Sequence, residues 1–274
     1  MKKNRSLLLS GPYILFMALF TLIPLGVVVY YALTDSPTTG NFTLQNITAL
    51  MDFLPVLGKS IGYALAAALC CLILGYPVAY FIAHRSPIMQ KILYMLVMLP
   101  MCMSFLLRTL AWVGLLQDTG IINNILEAIG LSRMPLIRTP AAVILGMVYN
   151  YLPYMILPLY AIIVKIDHRL IEAAEDLGCN SSQVFLRVVL PLSMPGILSG
   201  ITMVFVPAVS TFYISQKLGG PDTLLIGDVI ERQFKQANNP NLGAALSLVL
   251  MLLVFICTGI MNRFGSDEEG GVVV

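Results

Sequence analysis

Charged residues are scarce in this chain of 274 residues, since only 11% are Asp, Glu, Lys or Arg. An ordinary soluble domain has about a quarter of such residues. Hydrophobic residues make up 58% of the sequence, and the mean hydropathy is +0.86. A water-soluble fold of this length could not hide so much apolar surface, and a disordered chain needs the opposite composition. The composition therefore predicts an integral membrane protein and argues against a soluble enzyme.

Residues that build catalytic and metal sites are equally few. The two histidines, His84 and His168, and the five cysteines do not have the spacing of a zinc site. Neither HExxH nor GxSxG occurs, and Gly58-Lys59-Ser60 lacks the first glycine of a P-loop because position 53 is Phe53. The net charge of +2 gives no reason to expect nucleic acid. We therefore expect a non-catalytic chain surrounded by membrane lipid, without a metal of its own.

Six apolar stretches are long enough to cross a bilayer, which takes about 20 helical residues. They lie at Leu7–Leu33, Ile61–Ala83, Ile92–Leu116, Ala141–Val164, Gly196–Ile214 and Leu242–Met261. These runs are continuously apolar instead of alternating, which disfavours a β-barrel. The first stretch is too long for the apolar core of a signal peptide, so an uncleaved helix is expected. The sequence predicts an all-α polytopic membrane protein with one transmembrane domain over residues 1–274.

Basic residues favour one orientation of this bundle. Six spans place both termini on one side, which collects nine lysines and arginines against six on the other. The excess predicts cytoplasmic termini and a long cytoplasmic loop over residues 165–195. On the opposite side, Ile121–Gly130 and Thr223–Gln236 are expected to form interfacial helices. In the first of these, Ile121, Ile125 and Ile129 would face the bundle, with Asn123 on the polar side.

The long cytoplasmic loop has the pattern of two short helices. Apolar or small residues recur at helical spacing in its first half, at Leu170, Ala173, Ala174 and Leu177. Asp167 is placed to cap the start of this helix, and Gly178 to end it. Asn180 with Gln183 three residues on predicts a capping box that opens a second helix. The periodicity alone is equally compatible with a packed loop that has no partner.

Six fixed positions in this loop resemble a known family. Glu172-Ala173-Ala174, Gly178 and Leu190-Pro191 match the EAA motif of ABC importer permeases, E-A-A-x3-G-x9-I-x-L-P, with Val188 in place of the isoleucine. Residues 108–112 and several stretches between 218 and 245 extend the resemblance over nearly the whole chain. The sequence is most similar to the PotB-type permeases of spermidine/putrescine importers. This resemblance implies the six-span architecture of type I, MetI-like importer permeases.

The resemblance also implies a set of partners in the plasma or inner membrane. A second, PotC-like homologous permease would share the substrate pathway, and a PotD-like polyamine-binding protein outside the membrane would deliver the solute. ATP and Mg²⁺ would be bound by a dimer of cytoplasmic ABC ATPases, so this chain would hold no cofactor. The EAA loop would couple to that ATPase through Glu172, Ala173, Ala174, Gly178, Leu190 and Pro191.

Candidate pathway residues follow from the chemistry of a polycation, because aromatic faces attract ammonium groups. Rings and hydrogen-bond acceptors cluster in the fourth span and at the end of the fifth, at Tyr149, Asn150, Tyr154, Ser210, Phe212 and Tyr213. Asp222 and Asp228 follow just outside. Packing between helices or anchoring at the interface stays open for each of these residues.

Arg108 is the one charge well inside a predicted span. Such a charge is costly, so Arg108 is either a side chain that reaches the interface or a candidate outer-gate residue. It is not expected to be a ligand of a polyamine, which it would repel.

Two alternatives remain for the function. The same type of permease could carry another solute, such as iron(III), thiamine or an oxyanion, since the external binding protein largely selects the solute. A secondary transporter driven by an ion gradient often holds a carboxylate or histidine inside the membrane. No Asp, Glu or His lies well inside a predicted span, which favours the importer subunit.

Overall fold

The computed structural model of the protein describes residues 15–35, 40–43, 45–237 and 239–269. In this part of the chain the regular structure is helical, apart from an isolated bridge between Thr34 and Phe42. The helices are α1 (Leu15–Ala32), α2 (Leu54–Ala83), α3 (Pro87–Met98), α4 (Phe105–Leu116), α5 (Ile121–Ala128), α6 (Pro140–Ile163), α7 (His168–Asp176), α8 (Ser181–Leu192), α9 (Met194–Ser210), α10 (Tyr213–Leu218), α11 (Ile226–Lys235) and α12 (Pro240–Glu269). Shorter helical turns lie at Gln45–Thr48, Ala49–Phe53, Leu99–Cys102 and Pro221–Thr223.

Five helical stretches among the described residues are long and apolar enough to cross a membrane, and six when the bent pair α8–α9 is counted as one. They lie at Leu15–Ala32, Gln45–Ala83, Phe105–Ala128, Pro140–Ile163 and Pro240–Met261, with Met194–Ser210 in the bent pair. All but the third contain most of a predicted span, although Gln45–Ala83 begins 16 residues before the predicted start at Ile61. The first eight residues of the predicted span Leu7–Leu33 lie outside the described residues. The all-α polytopic fold is confirmed.

The prediction of one continuous helix over Ile92–Leu116 is wrong. The chain forms α3, a 3₁₀ turn at Leu99–Cys102, and then α4, which begins after Met103 has taken an extended backbone conformation. Pro100 lies in that turn and has no amide hydrogen to continue the ladder of an α-helix, so the helix tightens and ends there. The stretch that meets the length of a span is instead Phe105–Ala128.

Helix α5 confirms the predicted helix at Ile121–Gly130, but it is rotated relative to the prediction. Asn123 is fully buried, and its amide donates to the Gln117 and Met134 carbonyls at 3.3 and 3.0 Å. Its oxygen accepts from the Met134 amide at 2.9 Å. Ile121 and Ile125 are more than half exposed. A side-chain amide needs partners that lipid cannot supply, whereas an outward apolar side chain is compatible with a bilayer.

The chain divides into two compact units. One comprises Met1–Pro55 and Val229–Leu253. Three buried alanines from α1 and α12 form its centre, namely Ala32, Ala244 and Ala245. The Asn241 side chain of α12 donates to the Tyr31 and Thr34 carbonyls at 3.0 and 2.7 Å. These bonds attach the start of α12 to the chain at the end of α1 and just beyond it.

The other unit comprises Val56–Asp228 and Val254–Val274. Its centre is the pair α6 and α9, which approach closely because α9 presents glycines to α6. A β-carbon added to Gly196 would lie 3.1 Å from the Pro158 carbonyl oxygen, and one added to Gly200 would lie 2.6 Å from the Met155 sulfur. Small residues at such a contact bring two membrane helices near enough for dense packing. The candidate sites lie at the two ends of this pair.

Candidate functional site

Helix α7, which carries the EAA motif, is capped at both ends as predicted. The Asp167 carboxylate accepts from the Arg169 amide at 3.0 Å. At the other end Gly178 has φ +85°, and the amides of Gly178 and Cys179 donate to the Glu175 and Ala174 carbonyls at 2.8 and 3.1 Å. This is a Schellman motif, in which the positive φ favours glycine. A β-carbon on Gly178 would meet no atom within 4 Å, so backbone conformation and not space fixes this residue.

Helix α8 opens with the predicted capping box. The Gln183 amide donates to the Asn180 side chain at 2.9 Å, and the Asn180 amide donates to the Gln183 side chain at 3.0 Å. The helix passes through a π-helical turn at Phe185–Val189 and includes Leu190 and Pro191 in its last turn. Helix α9 then leaves at an angle of 63°. Helices α7 and α8 form a helix–turn–helix module, here called the EAA module.

One side of α7 packs against α8, and the opposite side is bare. Ala174 is buried with Val184 and Val189, and Ile171 and Cys179 pack around them. The predicted stripe is therefore split, because of its four members only Ala174 faces the interior. The other three lie on the exposed side, where Leu170 and Leu177 are 48% and 87% exposed; this surface is here called the α7 strip and consists of Leu170, Ala173 and Leu177.

Acidic side chains border the α7 strip. Glu172, Glu175 and Asp176 are all exposed. The Glu172 carboxylate lies 3.2 Å from Nδ1 of His168, one helical turn earlier. An exposed apolar strip with a charged border on a rigid helix has the composition of an interface core and its rim. The EAA module can therefore dock on another protein.

Aromatic side chains that sequence analysis missed join the EAA module to α2. The Phe185 ring meets the rings of Tyr76 and Tyr80 edge-on, with centroids 5.5 and 6.1 Å apart. The Tyr76 hydroxyl lies 2.8 Å from the Ser193 hydroxyl. The spacing of Tyr76 and Tyr80, one turn apart at the end of a predicted span, was a signal for this contact. A movement of the module would therefore be passed to α2 through these contacts, as well as to α6 and α9 through the chain.

At the other end of the α6–α9 pair, several predicted pathway residues surround a break in the helix. Helix α9 ends at Ser210, Thr211 is extended, and α10 starts at Tyr213. The Ser210 hydroxyl bonds back to the Val206 and Pro207 carbonyls at 3.2 and 3.4 Å. Phe212 is 40% exposed at the break. The end of α9 presents carbonyl groups and the partial negative charge of a helix C-terminus.

The predicted residues of α6 are placed differently from one another. Tyr154 is 38% exposed and its ring lies 6.3 Å from that of Tyr151, whose hydroxyl donates to the Pro207 carbonyl at 3.4 Å. Tyr151 thus contacts the last turn of α9, and Tyr154 lies beside Tyr151. Tyr149 packs against Trp112 with ring centroids 5.4 Å apart. Asn150 is 1% exposed and donates to the Gly146 carbonyl at 2.9 Å, so it packs inside the unit and is not accessible to a solute.

Arg108 is buried in α4, which packs against α6 and α10. Only 8% of the residue is exposed, which argues against a side chain that reaches the interface. Its Nε and Nη1 have no hydrogen-bond partner within the described part of the chain. It interacts electrostatically with Tyr151, next to the helix break. Leaving these two buried N–H groups without acceptors costs on the order of several kcal/mol, so an acceptor from outside the described part of this chain is expected.

Asp228 does not fit its predicted place beside the pathway. The residue is 3% exposed, and its carboxylate accepts from the Leu225 amide at 2.9 Å. The neighbouring Ile226 amide donates to the Ser60 hydroxyl at 2.7 Å. Asp228 and Ser60 thus hold the start of α11, since the first amides of a helix need acceptors. Asp222 remains exposed.

The structure is that of a polytopic membrane transport subunit. It combines apolar spans, a capped module with a bare strip, and a broken helix at the opposite end. The family model of the binding-protein-dependent transport system inner membrane component matches residues 75–266, and the chain belongs to this family. It is therefore a permease subunit of ABC transporters.

Two relatives and one solved structure illustrate this membership. The spermidine/putrescine transport system permease protein PotB of Escherichia coli (strain K12) is 41% identical over 217 residues, which cover 78% of this chain and 79% of PotB. The inner membrane ABC transporter permease protein YdcU of the same organism is 31% identical over 283 residues, covering 96% and 90%. A chain of a bacterial ABC transporter that imports alginate has a similar fold, with a TM-score of 0.76 and 20% identity over 96% of both chains.

Proposed function

We propose that this chain is one of the two permeases of an ATP-driven importer for spermidine and putrescine. The observation that carries this proposal is the bare α7 strip on a helix capped at both ends, at the position of the EAA motif. The similarity to PotB supports the solute. The chain is not a catalyst in this proposal, and ATP and Mg²⁺ belong to the partner ATPase.

The α7 strip docks into the cytoplasmic ATPase dimer. Glu172, Ala173 and Gly178 contact the ATPase, and Ala174 supports them from the interior of the module. Leu190 and Pro191 end α8, where the 63° bend passes the movement to α9. When ATP closes the ATPase dimer, the module moves as a rigid body and the helices attached to it follow. Alternating access then results from two arrangements of one bundle, biased by the nucleotide.

This docking fixes the orientation of the chain. The EAA module faces the cytoplasm of the plasma or inner membrane, and the break after α9 faces outside. Six spans then place both termini in the cytoplasm. A PotC-like permease completes the pathway, and a PotD-like binding protein docks at the outer ends of the helices.

The helix break is the part of the pathway best suited to a polycation. Ammonium groups are attracted by aromatic faces and by the negative end of a helix dipole. Phe212 supplies an exposed ring at the end of α9, and Ser210 adds an acceptor. Tyr213 starts α10 at the break, where the Lys217 ammonium lies 5.8 Å from its ring centroid, so a solute ammonium would take the place of Lys217. Tyr154 is the next ring along the path, beside Tyr151. Tyr149 lies nearer the start of α6 than Tyr154 and packs against Trp112. Arg108 is the outer gate, whose unpaired guanidinium takes an acceptor from the second permease and excludes cations while the gate is closed.

Reconstituted transport tests this proposal. The chain, its ATPase and the second permease are placed in proteoliposomes with ATP inside and the polyamine-binding protein with labelled spermidine outside. We expect uptake that needs ATP and is inhibited by putrescine but not by thiamine, iron(III) or molybdate. Uptake that continues without the ATPase would contradict the coupling. ATP-dependent uptake of one of the other solutes in place of spermidine would contradict the substrate alone.

A further inference from the structure

A cavity of about 310 Å³ lies where α2 and α6 end and α7 begins. Both histidines of the sequence line it, His84 from the end of α2 and His168 from the first turn of α7, together with Arg85. The remaining wall is aliphatic, with Ile163 and Ile171 among its residues. Its volume is at the lower end of the roughly 300–1,000 Å³ range of ligand pockets. Among the described residues, those that line the cavity include no acidic side chain, and the nearby Glu172 carboxylate contacts Nδ1 of His168 at 3.2 Å.

Arg85 is held in position without being neutralised. Its guanidinium carbon lies 4.0 Å above the centroid of the Phe81 ring, which leaves the N–H groups at the edge of the plane open to a ligand. Within the part of the chain that the structure describes, Arg85 forms no ion pair. The preorganised guanidinium matches the fork of donors that phosphate oxygens accept.

The turn that carries His84 and Arg85 is fixed by Gln90. The Gln90 amide donates to the Ala83 and Arg85 carbonyls, at 2.9 Å in each case. Its oxygen accepts from the Tyr160 hydroxyl of α6 at 3.3 Å. The basic residues therefore keep their place relative to the aliphatic wall that α6 supplies, without a ligand.

Both imidazoles use the same nitrogen, Nδ1, for a hydrogen bond within the protein. Nδ1 of His84 lies 2.9 Å from the Tyr80 carbonyl oxygen, and Nδ1 of His168 lies 3.2 Å from the Glu172 carboxylate. Each of these partners is an acceptor, so Nδ1 donates. The Nε2 atoms have no hydrogen-bond partner among the described residues, and a protonated ring donates from Nε2 as well. The two imidazole rings and the guanidinium line one cavity, and they are the polar groups that a bound anion would meet there.

The position of the cavity selects the kind of anion. It lies at the ends of two membrane-spanning helices, where lipid headgroups meet water. Basic pockets of this kind at helix ends bind anionic headgroups. A soluble anion would leave the aliphatic wall in contact with water, whereas a lipid covers it with its glycerol and acyl carbons.

We propose that this cavity binds the phosphate-bearing headgroup of an anionic membrane lipid, with the phosphate at Arg85, His84 and His168. Because His168 belongs to the first turn of α7, the bound lipid ties the start of the EAA module to the ends of α2 and α6. On the proposed function, the coupling to the ATPase then depends on anionic lipid.

Native mass spectrometry of the whole importer tests the lipid site. The complex is placed in nanodiscs of phosphatidylcholine alone or of equal parts phosphatidylcholine and phosphatidylglycerol, and the phosphatidylglycerol retained after release is counted. We expect retention by the unaltered complex and a loss of about tenfold or more in affinity for Arg85→Gln and for the double variant His84→Gln, His168→Gln. Arg85→Lys keeps the charge and should restore part of the retention, which separates binding from misfolding.

Lys91→Gln is the matched control, because this exposed lysine lies at the same end of the bundle outside the cavity lining. Equal retention by all variants would overturn the proposal. Inorganic phosphate, added to phosphatidylcholine nanodiscs, identifies the source of the phosphate. If the unaltered complex binds inorganic phosphate through Arg85 but retains no phosphatidylglycerol, the lipid assignment is wrong. It is also wrong if Arg85→Gln weakens ATPase binding and leaves phosphatidylglycerol retention unchanged. Lipid retention needs no transport, so it can fail or succeed independently of the proposed function.

Discussion

Gly178 gives the EAA module a test at a single residue. Its φ of +85° lies in the left-handed region, where a β-carbon costs about 1–2 kcal/mol. Gly178→Ala should therefore loosen the Schellman motif, lower the thermal stability of the complex slightly and reduce ATP-dependent spermidine uptake. Gly178→Asn is the matched control because asparagine tolerates this conformation. Equal uptake by the alanine and asparagine variants would show that the backbone at Gly178 does not limit coupling.

Arg108 permits a second test, which separates folding from gating. Replacing a buried unpaired charge with an apolar side chain of similar length removes its desolvation cost. Arg108→Met should thus leave the unfolding free energy of the isolated chain unchanged or raise it by up to about a few kcal/mol. Thermal unfolding of the isolated chain measures this change. Uptake by the complex should nevertheless fall, because the gate loses the guanidinium that donates to the acceptor on the second permease.

Arg133→Met is the control for Arg108, since Arg133 is an exposed arginine with a pairing carboxylate 2.8 Å away at Glu127. The control should change neither stability nor uptake. A large loss of stability in Arg108→Met would mean that a hydrogen bond donated by the guanidinium holds the fold, and the gate would then need another residue.

The caps of the EAA module were predictable because each depends on neighbours in sequence. Asp167, Gly178 and the pair Asn180 and Gln183 act over two to four positions, so the chain specifies them locally. Asn123 was predicted on the wrong face. Its bonds to Met134 require a loop that returns to α5, and spacing along the helix does not contain that information.

At the scale of elements, the α7 strip should be the docking surface for the ATPase. Leu177→Asp places a charge at a residue that is 87% exposed, so the isolated permease should fold as before. Binding of purified ATPase to the permease complex in nanodiscs should weaken about tenfold or more, because the charge is desolvated in the interface. Interferometry on the immobilised complex measures this affinity directly.

Leu186→Asp is the matched control for the strip, since Leu186 is a leucine of α8 that is 58% exposed and lies outside the α7 strip. It should leave ATPase affinity unchanged. If both variants bind the ATPase as tightly as the unaltered complex, α7 is a packed loop without a partner, which periodicity alone allowed.

The elements were predictable in number but not in continuity. Hydropathy integrates over about 20 residues, so it located the apolar stretches that become α2, α6, α9 and α12. It also joined α3 to α4, because a single Pro100 hardly changes the average of such a window. The break after α9 escaped notice for the same reason, although Pro207 and Thr211 lie inside the predicted span Gly196–Ile214. Breaks of this kind are set by where backbone groups find partners, which hydropathy does not measure.

For the whole molecule, the structure provides one continuous path from the EAA module to the helix break. The EAA module is joined to α2 by Phe185 and to α9 by the bend at Ser193, and α9 packs along α6 up to Tyr151 and Pro207. A lateral shift at α7 therefore reaches the break through packed elements that move together. Such a bundle responds by switching between two packings, since a close-packed interior deforms little.

The orientation of this path across the membrane is the remaining prediction at this scale. In a variant whose five native cysteines are replaced by serine or alanine, Asp222→Cys and Lys91→Cys place one reactive thiol near each end, and Lys91 lies at the same end of the bundle as the EAA module but outside the α7 strip. Both positions are exposed, so a membrane-impermeant maleimide can reach either from the correct side. On intact cells we expect labelling of Asp222→Cys alone, and labelling of Lys91→Cys only after permeabilisation. The reverse pattern would place the EAA module outside the cell, where no ATPase can reach it, and would exclude the coupling mechanism for the whole chain.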